Sequence, residues 1–153
     1  MKAVCLVDTS LFLEILNVSG MTANHLEILD ELKLKIENKE SLFLPMAPIF
    51  ETGNHIAQNG DGNQRRRCAE NFVNQVKKTL AEESPFKPIS FLQKEHLQQW
   101  LNTFPDYATG GIGLGDLSII HDWKRQCQLN KGRRVYIWSL DDDLKGYVRE
   151  PEI

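Results

Sequence analysis

Two short apolar runs rich in β-branched residues, Ala3–Val7 and Val135–Leu140, confine the fold more than any other feature of the sequence. Each is too short for a helix of ordinary length, and each reads as a buried strand. Ser41–Leu44, stopped by Pro45, and Pro88–Phe91 read as two more strands. Helical periodicities fill the intervals. Ser10–Asn17 is followed by Gly20, and Thr22–Asn38, with Thr22 as a cap, carries Leu26, Leu29, Leu32 and Ile36. Ala47–Gln58 sets Ile49, Phe50, Ile56 and Ala57 on one side and Glu51, Asn54, His55 and Gln58 on the other. After the turn Asn59–Asn63, Gln64–Glu82 presents Cys68, Phe72, Val76 and Leu80 as an inner stripe. Gln93–Thr103 sets Leu97, Trp100 and Leu101 inside, and Gly115–Leu129 is the last long helix. Strands alternating with helices predict an α/β fold, a three-layer αβα sandwich around a central, mostly parallel sheet. A chain of 153 residues is expected to form one domain spanning 1–153.

Charge and composition narrow the function classes. Hydrophobic residues make up 41% and charged residues 25%, as in an ordinary globular domain. A net charge of −3 does not draw nucleic acid by its global field, so an acidic partner must meet a local basic patch or bound cations. Cys5, Cys68 and Cys127 are isolated and form no C-x-x-C pair, which fits a reducing, cytoplasmic setting. Asp8 and Glu14 interrupt the first apolar region, which argues against a signal peptide, and no run approaches the length of a membrane span.

The acids carry the chemistry. Asp8 closes the first strand in "VCLVDTSLF", where a charge breaks an otherwise apolar element; the plain alternative is that Asp8, Thr9 or Ser10 caps the next helix. Asp141 follows the last strand, and ligands of open parallel sheets bind at the carboxyl ends of strands. Asp116 lies 3, 4, 7 and 11 residues before Ile119, Ile120, Trp123 and Cys127, in the centre of an apolar helical face, although a helix start beside Gly115 also favours a carboxylate. Glu51 is less distinctive, lying on a polar face with Asn54 and His55. Carboxylates gathered without a counter-charge call for a hard cation, Mg²⁺ or Mn²⁺. Such an ion polarises a phosphoryl oxygen and activates water.

These segments resemble a family. "LVDTSLFLEIL", "PIFETGNHIA", "GLGDLSII" and "YIWSLDDDL" are similar, in that order, to the motifs of PIN-domain nucleases, most of all the small bacterial ribonucleases of toxin–antitoxin pairs. The resemblance implies a catalytic and metal-binding set of Asp8, Glu51, Asp116 and Asp141. It implies supporting roles for Ser10, Asn54 and Ser139, with Asp143 an alternative fourth acid; Asp142 and Asp143 also read as caps of the next turn. It further implies Mg²⁺- or Mn²⁺-dependent hydrolysis of RNA leaving a 5′-phosphate, a homodimer and a neutralising antitoxin partner. A PIN-like fold used only to bind RNA or protein is the alternative, and the loss of an acid would mark it; all four are present.

Other classes fit less well. A haloacid-dehalogenase phosphatase needs a second aspartate where Ser10 stands, and an adhesion module needs a hydroxyl where Phe12 stands. There is no G-x-S-x-G elbow, and the four histidines form no H-E-x-x-H, so His55 and His121 read as surface or groove residues. "ATGGIGLGD" follows no strand and reads as an entry loop, not a dinucleotide loop. The dense basic run Arg65, Arg66 and Arg67 sits at a helix start, where cations oppose the dipole. It is a candidate phosphate contact at the groove rim, with a solvated face as the plain alternative. Lys131, Arg133 and Arg134 precede the last strand, at the end of the sheet away from the acids.

Overall fold

The computed structural model describes residues 2–18, 20, 23–89 and 93–153. Among these, five strands form one sheet in the order β3-β2-β1-β4-β5. Strands β1 (Val4–Val7), β2 (Ser41–Leu44), β3 (Phe86–Pro88) and β4 (Val135–Trp138) are parallel, and β5 (Val148–Arg149) runs antiparallel to β4. Every residue of β1 and of β4 is buried, as expected for strands flanked on both sides and covered on both faces.

Seven helices complete the described chain: α1 (Thr9–Leu16), α2 (His25–Glu37), α3 (Met46–Gln58), α4 (Gly62–Leu80), α5 (Lys94–Thr109), α6 (Leu114–Leu129) and the single turn α7 (Asp142–Lys145). They cover both faces of the sheet. On one face Cys5, Val7, Leu42, Leu44, Tyr136 and Trp138 pack with Leu11, Phe12 and Leu16 of α1, Ile28 of α2 and Ile56 of α3. On the other, Val4, Leu6, Val135 and Ile137 pack with Ile119 and Ile120 of α6 and Leu144 of α7. Phe12 is fully buried and meets Phe72 of α4 and Phe86 of β3 edge-on, with centroids 6.3 and 6.1 Å away. One ring therefore joins three elements, and its removal would cost about 3–5 kcal/mol.

The start of α4 is closed by its own sequence: Asp61 accepts from the Gln64 N–H at 2.9 Å and Gln64 accepts from the Asp61 N–H at 2.9 Å, a capping box. The amino edge of the sheet is fastened by guanidinium groups. Arg133 donates to the carbonyls of Lys2 and Ala3 and, at 2.8 Å, to the Ser41 hydroxyl. Arg149 donates to the Cys127, Asn130 and Arg133 carbonyls, closing the end of α6. The basic run before β4 thus includes a structural clamp. All three cysteines are free; burial pushes the Cys5 thiol up to about 12, so it is inert.

Several expectations need correction. Thr22, the expected cap of α2, lies outside the described residues, as do Ser90 and Phe91 of the expected third strand; the observed β3 comes earlier. In α2 the buried residue is Ile28, while Leu26 is 76% exposed. In α3 the inner stripe is Pro48, Ile49, Thr52 and Ile56, and Phe50 is 64% exposed. That helix packs on α4 at Gly53, where an added Cβ would lie 3.8 Å from the Phe72 ring. Leu80 ends α4 and is half exposed because the chain turns away there, through Glu82 at φ 57°. Helix α5 buries no residue fully; Leu101 is 50% exposed, and the helix runs on through Pro105 to Thr109. The strand predicted to Leu140 ends at Trp138.

Candidate active site: the acidic carboxyl edge

Strand register builds the centre of the site. Val7 is paired with Trp138, so the next residues, Asp8 and Ser139, lie side by side at the carboxyl edge. The Ser139 hydroxyl donates to Asp8 Oδ2 at 2.7 Å, and the Ser10 hydroxyl donates to the same oxygen at 3.1 Å. Both serines are tied in turn to the β4–α7 turn: the Leu140 N–H donates to Ser10 Oγ at 3.0 Å and the Asp141 N–H to Ser139 Oγ at 2.9 Å. Asp8 occupies the N-cap position of α1, yet its side chain makes no capping hydrogen bond. Its carboxylate, 5% exposed, is held by hydroxyls instead. A carboxylate buried in this way tolerates its desolvation through those donors.

Glu51 arrives from the second turn of α3. The buried Thr9 hydroxyl, next to Asp8, donates to Glu51 Oε2 at 2.7 Å. The other oxygen, Oε1, lies so close to Gly115 that a Cβ there would collide with it. The absent side chain at residue 115 lets α6 bring Asp116 up to Glu51. Asp116 sits in the first turn of α6. Burial, first, and then the charges of Asp8, Glu51, Asp141 and Asp143 push its carboxyl up to about 6. The helix dipole alone would act in the opposite direction.

Asp141 and Asp143 divide their roles. Asp141 caps α7, accepting from the Asp143 N–H at 2.9 Å, so the cap of that turn is Asp141 and not Asp142 or Asp143. Both Asp141 and Asp143 bear on Asp116, Asp141 the more strongly. Asp142 is turned to Lys145, 3.3 Å away, on the surface. Asn54 is exposed and makes no side-chain hydrogen bond with a described residue. The structure places Arg65, Arg66 and Arg67 elsewhere. Arg65 donates to the Asp61 carbonyl, Arg66 pairs with Glu70 at 3.0 Å, and Arg67 lines a shallow hollow beside Leu16 and Asn17. That hollow lies at the far end of α1 from Asp8, about 12 Å of helix away.

Thr9 and Gly115 are the residues that sequence reasoning missed. Thr9 had a visible signal, a hydroxyl next to the strand-end acid; Gly115 had none that separated it from an ordinary loop glycine.

The chemistry available at this edge is that of oxygen donors. Among the described residues, no lysine, arginine or histidine pairs with Asp8, Glu51, Asp116, Asp141 or Asp143. Nor do three acidic, histidine or cysteine side chains among them form a ready-made metal cage. The donor set is carboxylate and hydroxyl only, which suits a hard divalent cation and not zinc or copper. Comparison with family models, with curated proteins and with solved structures found nothing that matches the chain. No helix among the described residues is long and apolar enough to cross a membrane.

Proposed function

We propose that the chain is a PIN-type, divalent-cation-dependent nuclease that hydrolyses RNA phosphodiester bonds. The observation that carries this reading is Asp116: a carboxyl lifted to about 6 by burial and four surrounding acids, with no cation from the described side chains to relieve it. Sites built to hold charge against its solvation are functional candidates. A mostly parallel sheet covered by helices on both faces is compatible with the three-layer sandwich that the resemblance implies, and supports the reading to that extent.

In this reading Asp8, Glu51, Asp116 and Asp141 hold Mg²⁺ or Mn²⁺, with Asp143 beside them. When bound, such an ion supplies a Lewis acid for the phosphoryl oxygen and a lowered water pKa. The chain's own contribution is orientation. Ser139 and Ser10 fix one oxygen of Asp8, Thr9 fixes one oxygen of Glu51, and Asp143 N–H fixes one oxygen of Asp141. These bonds hold Asp8, Glu51 and Asp141 in place from one oxygen each. A bound cation would offset the burial and the neighbouring charges that raise the Asp116 carboxyl, and would keep it ionised as a ligand.

Cleavage of a labelled single-stranded RNA in Mn²⁺ tests the reading. Asp8→Asn and Asp116→Asn are expected to lose at least a hundredfold in rate with an unchanged circular dichroism spectrum. Full activity in a chelator, or undiminished cleavage by Asp116→Asn, would overturn it. The toxin assignment adds an antitoxin partner and a cytoplasmic location to the proposal.

A further inference from the structure

One hollow among the described residues is set apart from the acidic edge. It lies on the other side of α6, between α5 and α6, with a volume of about 420 Å³. Met46 and Ile89 contribute apolar surface, and Ser118, His121, Asp122 and Arg125 of α6 face His96, Gln99 and Trp100 of α5 across it. Ser118 is only two residues beyond Asp116, on the opposite side of the helix.

The polar groups here are unlike those of a packed interior. The Nε2 atom of His121 is buried and has no hydrogen-bond partner among the described residues. Ser118 is 8% exposed, and its hydroxyl bonds to no described residue. The indoles of Trp123 and Trp138 donate to Val135 O and Glu31, whereas that of Trp100 donates to no described residue. Trp100 stacks on His121 at 5.7 Å with 18° between the rings, giving the hollow an aromatic wall. Burial, aided by Lys124, holds His121 below its usual range, so its ring is neutral at pH 7. Burial pushes Asp122 up to about 7 although Arg125 opposes it, so a protonated, hydrogen-bond-donating acid is well populated. Buried polar atoms are ordinarily satisfied, and an unsatisfied one asks for a reason.

We propose that this hollow binds a nucleotide: a base against Trp100, its edge read by His121, Ser118, Gln99 and Asp122, and its phosphate met by Arg125 and Lys124. The chemistry selects this class among ligands. A flat aromatic wall with neutral donors and acceptors suits a heterocycle, and cations beside it suit an attached phosphate. An acidic peptide would bring no flat ring to the Trp100 face and would set its carboxylates beside Asp122, and a purely apolar ligand would leave His121 Nε2 buried and unpaired. The ligand is either a free nucleotide or one base of an RNA chain whose scissile bond lies at the acidic edge; the second case rests on the nuclease reading.

The test is binding in a chelator, so that cleavage plays no part. Nucleoside 5′-monophosphates and a labelled ten-nucleotide single-stranded RNA are titrated into the full chain by calorimetry and by fluorescence anisotropy. Wild type is compared with Trp100→Leu, which alters a helix with no fully buried residue, and with His121→Phe, which keeps the ring and removes Nε2. Both variants are expected to weaken binding roughly fivefold or more, Trp100→Leu through the lower end of what base–aromatic stacking contributes and His121→Phe through a lost hydrogen bond to the base. Weakening for the monophosphate alone supports a free nucleotide, and weakening for RNA alone supports a base of the chain. No monophosphate binding at 10 mM together with unchanged RNA affinity in both variants overturns the proposal. An inactive enzyme whose pocket binds leaves it standing, and an active enzyme whose pocket is silent removes it without touching the acids.

Discussion

Replacing Asp116 by asparagine separates the electrostatic reading of the acidic edge from a capping role, without any substrate. The carboxyl stands at about 6 in the fold against 3.8 for the free side chain, a difference equivalent to about 3 kcal/mol. The group is only about half buried, so solvent screening reduces this to roughly 1.5 kcal/mol. The favourable position at the start of α6 returns about 0.5 kcal/mol to the charged form. The net expectation is that Asp116→Asn is more stable than wild type by about 1 kcal/mol at pH 7.5, a rise in Tm of roughly 2–4 °C for this size of domain. The sign follows from a folded pKa raised above the unfolded one: the penalty is absent below 3.8, grows between 3.8 and about 6, and is complete above that. Urea unfolding in a chelator at pH 4 and pH 7.5 reads it. The advantage of the variant should be present at pH 7.5 and absent at pH 4. An equal difference at both values, or a less stable variant at pH 7.5, would refute the reasoning and leave Asp116 a helix-start residue.

Three further outcomes are expected. Gly115→Ala should drive the Glu51 carboxylate off Thr9 at little cost in stability, within about 1 kcal/mol because alanine favours the helix, while cleavage falls at least tenfold; parallel melts and rate assays check it. Addition of about 10 mM Mg²⁺, for a Kd near 1 mM, should stabilise wild type by roughly 1.4 kcal/mol and Asp116→Asn by less, read as Tm by scanning calorimetry. Changing Arg65, Arg66 and Arg67 together to glutamine should lower the salt slope of single-stranded RNA binding by about 2 if all three meet phosphates, and not at all if they serve only the capping turn and Glu70.

What could be read from the sequence was set by how local its cause is. Asp8 and Asp116 were legible because each breaks an apolar pattern that the fold then realises: β1 is wholly buried up to Val7, and Ile119 and Ile120 are buried on the face of α6 that Asp116 begins. Glu51 carried no such signal, since its role depends on how α3 is set against α1, α4 and α6, which its own segment does not state. The same packing leaves Phe50 outward, 64% exposed. Helix α5 misled for a related reason. Its leucines recur at helical spacing, but among the described elements its main neighbour is α6, and Leu97 and Leu101 stay exposed. The cap of α7 was misplaced by one residue because three consecutive aspartates give no local reason to choose among them.

The guanidinium clamps have a mechanical consequence. Arg133 and Arg149 pin the amino edge of the sheet and the end of α6 through carbonyls that would otherwise fray, whereas the carboxyl edge is tied by hydroxyls and like charges. The molecule is thereby built like a fan riveted at its base. The register of β1 with β4 is fixed from that base, while the ends of α3 and α6 that carry Glu51 and Asp116 meet beyond it. Amide exchange should register this gradient along a single strand, slow at Val4 and faster toward Asp8, with the acids riding on the part of the sheet that gives.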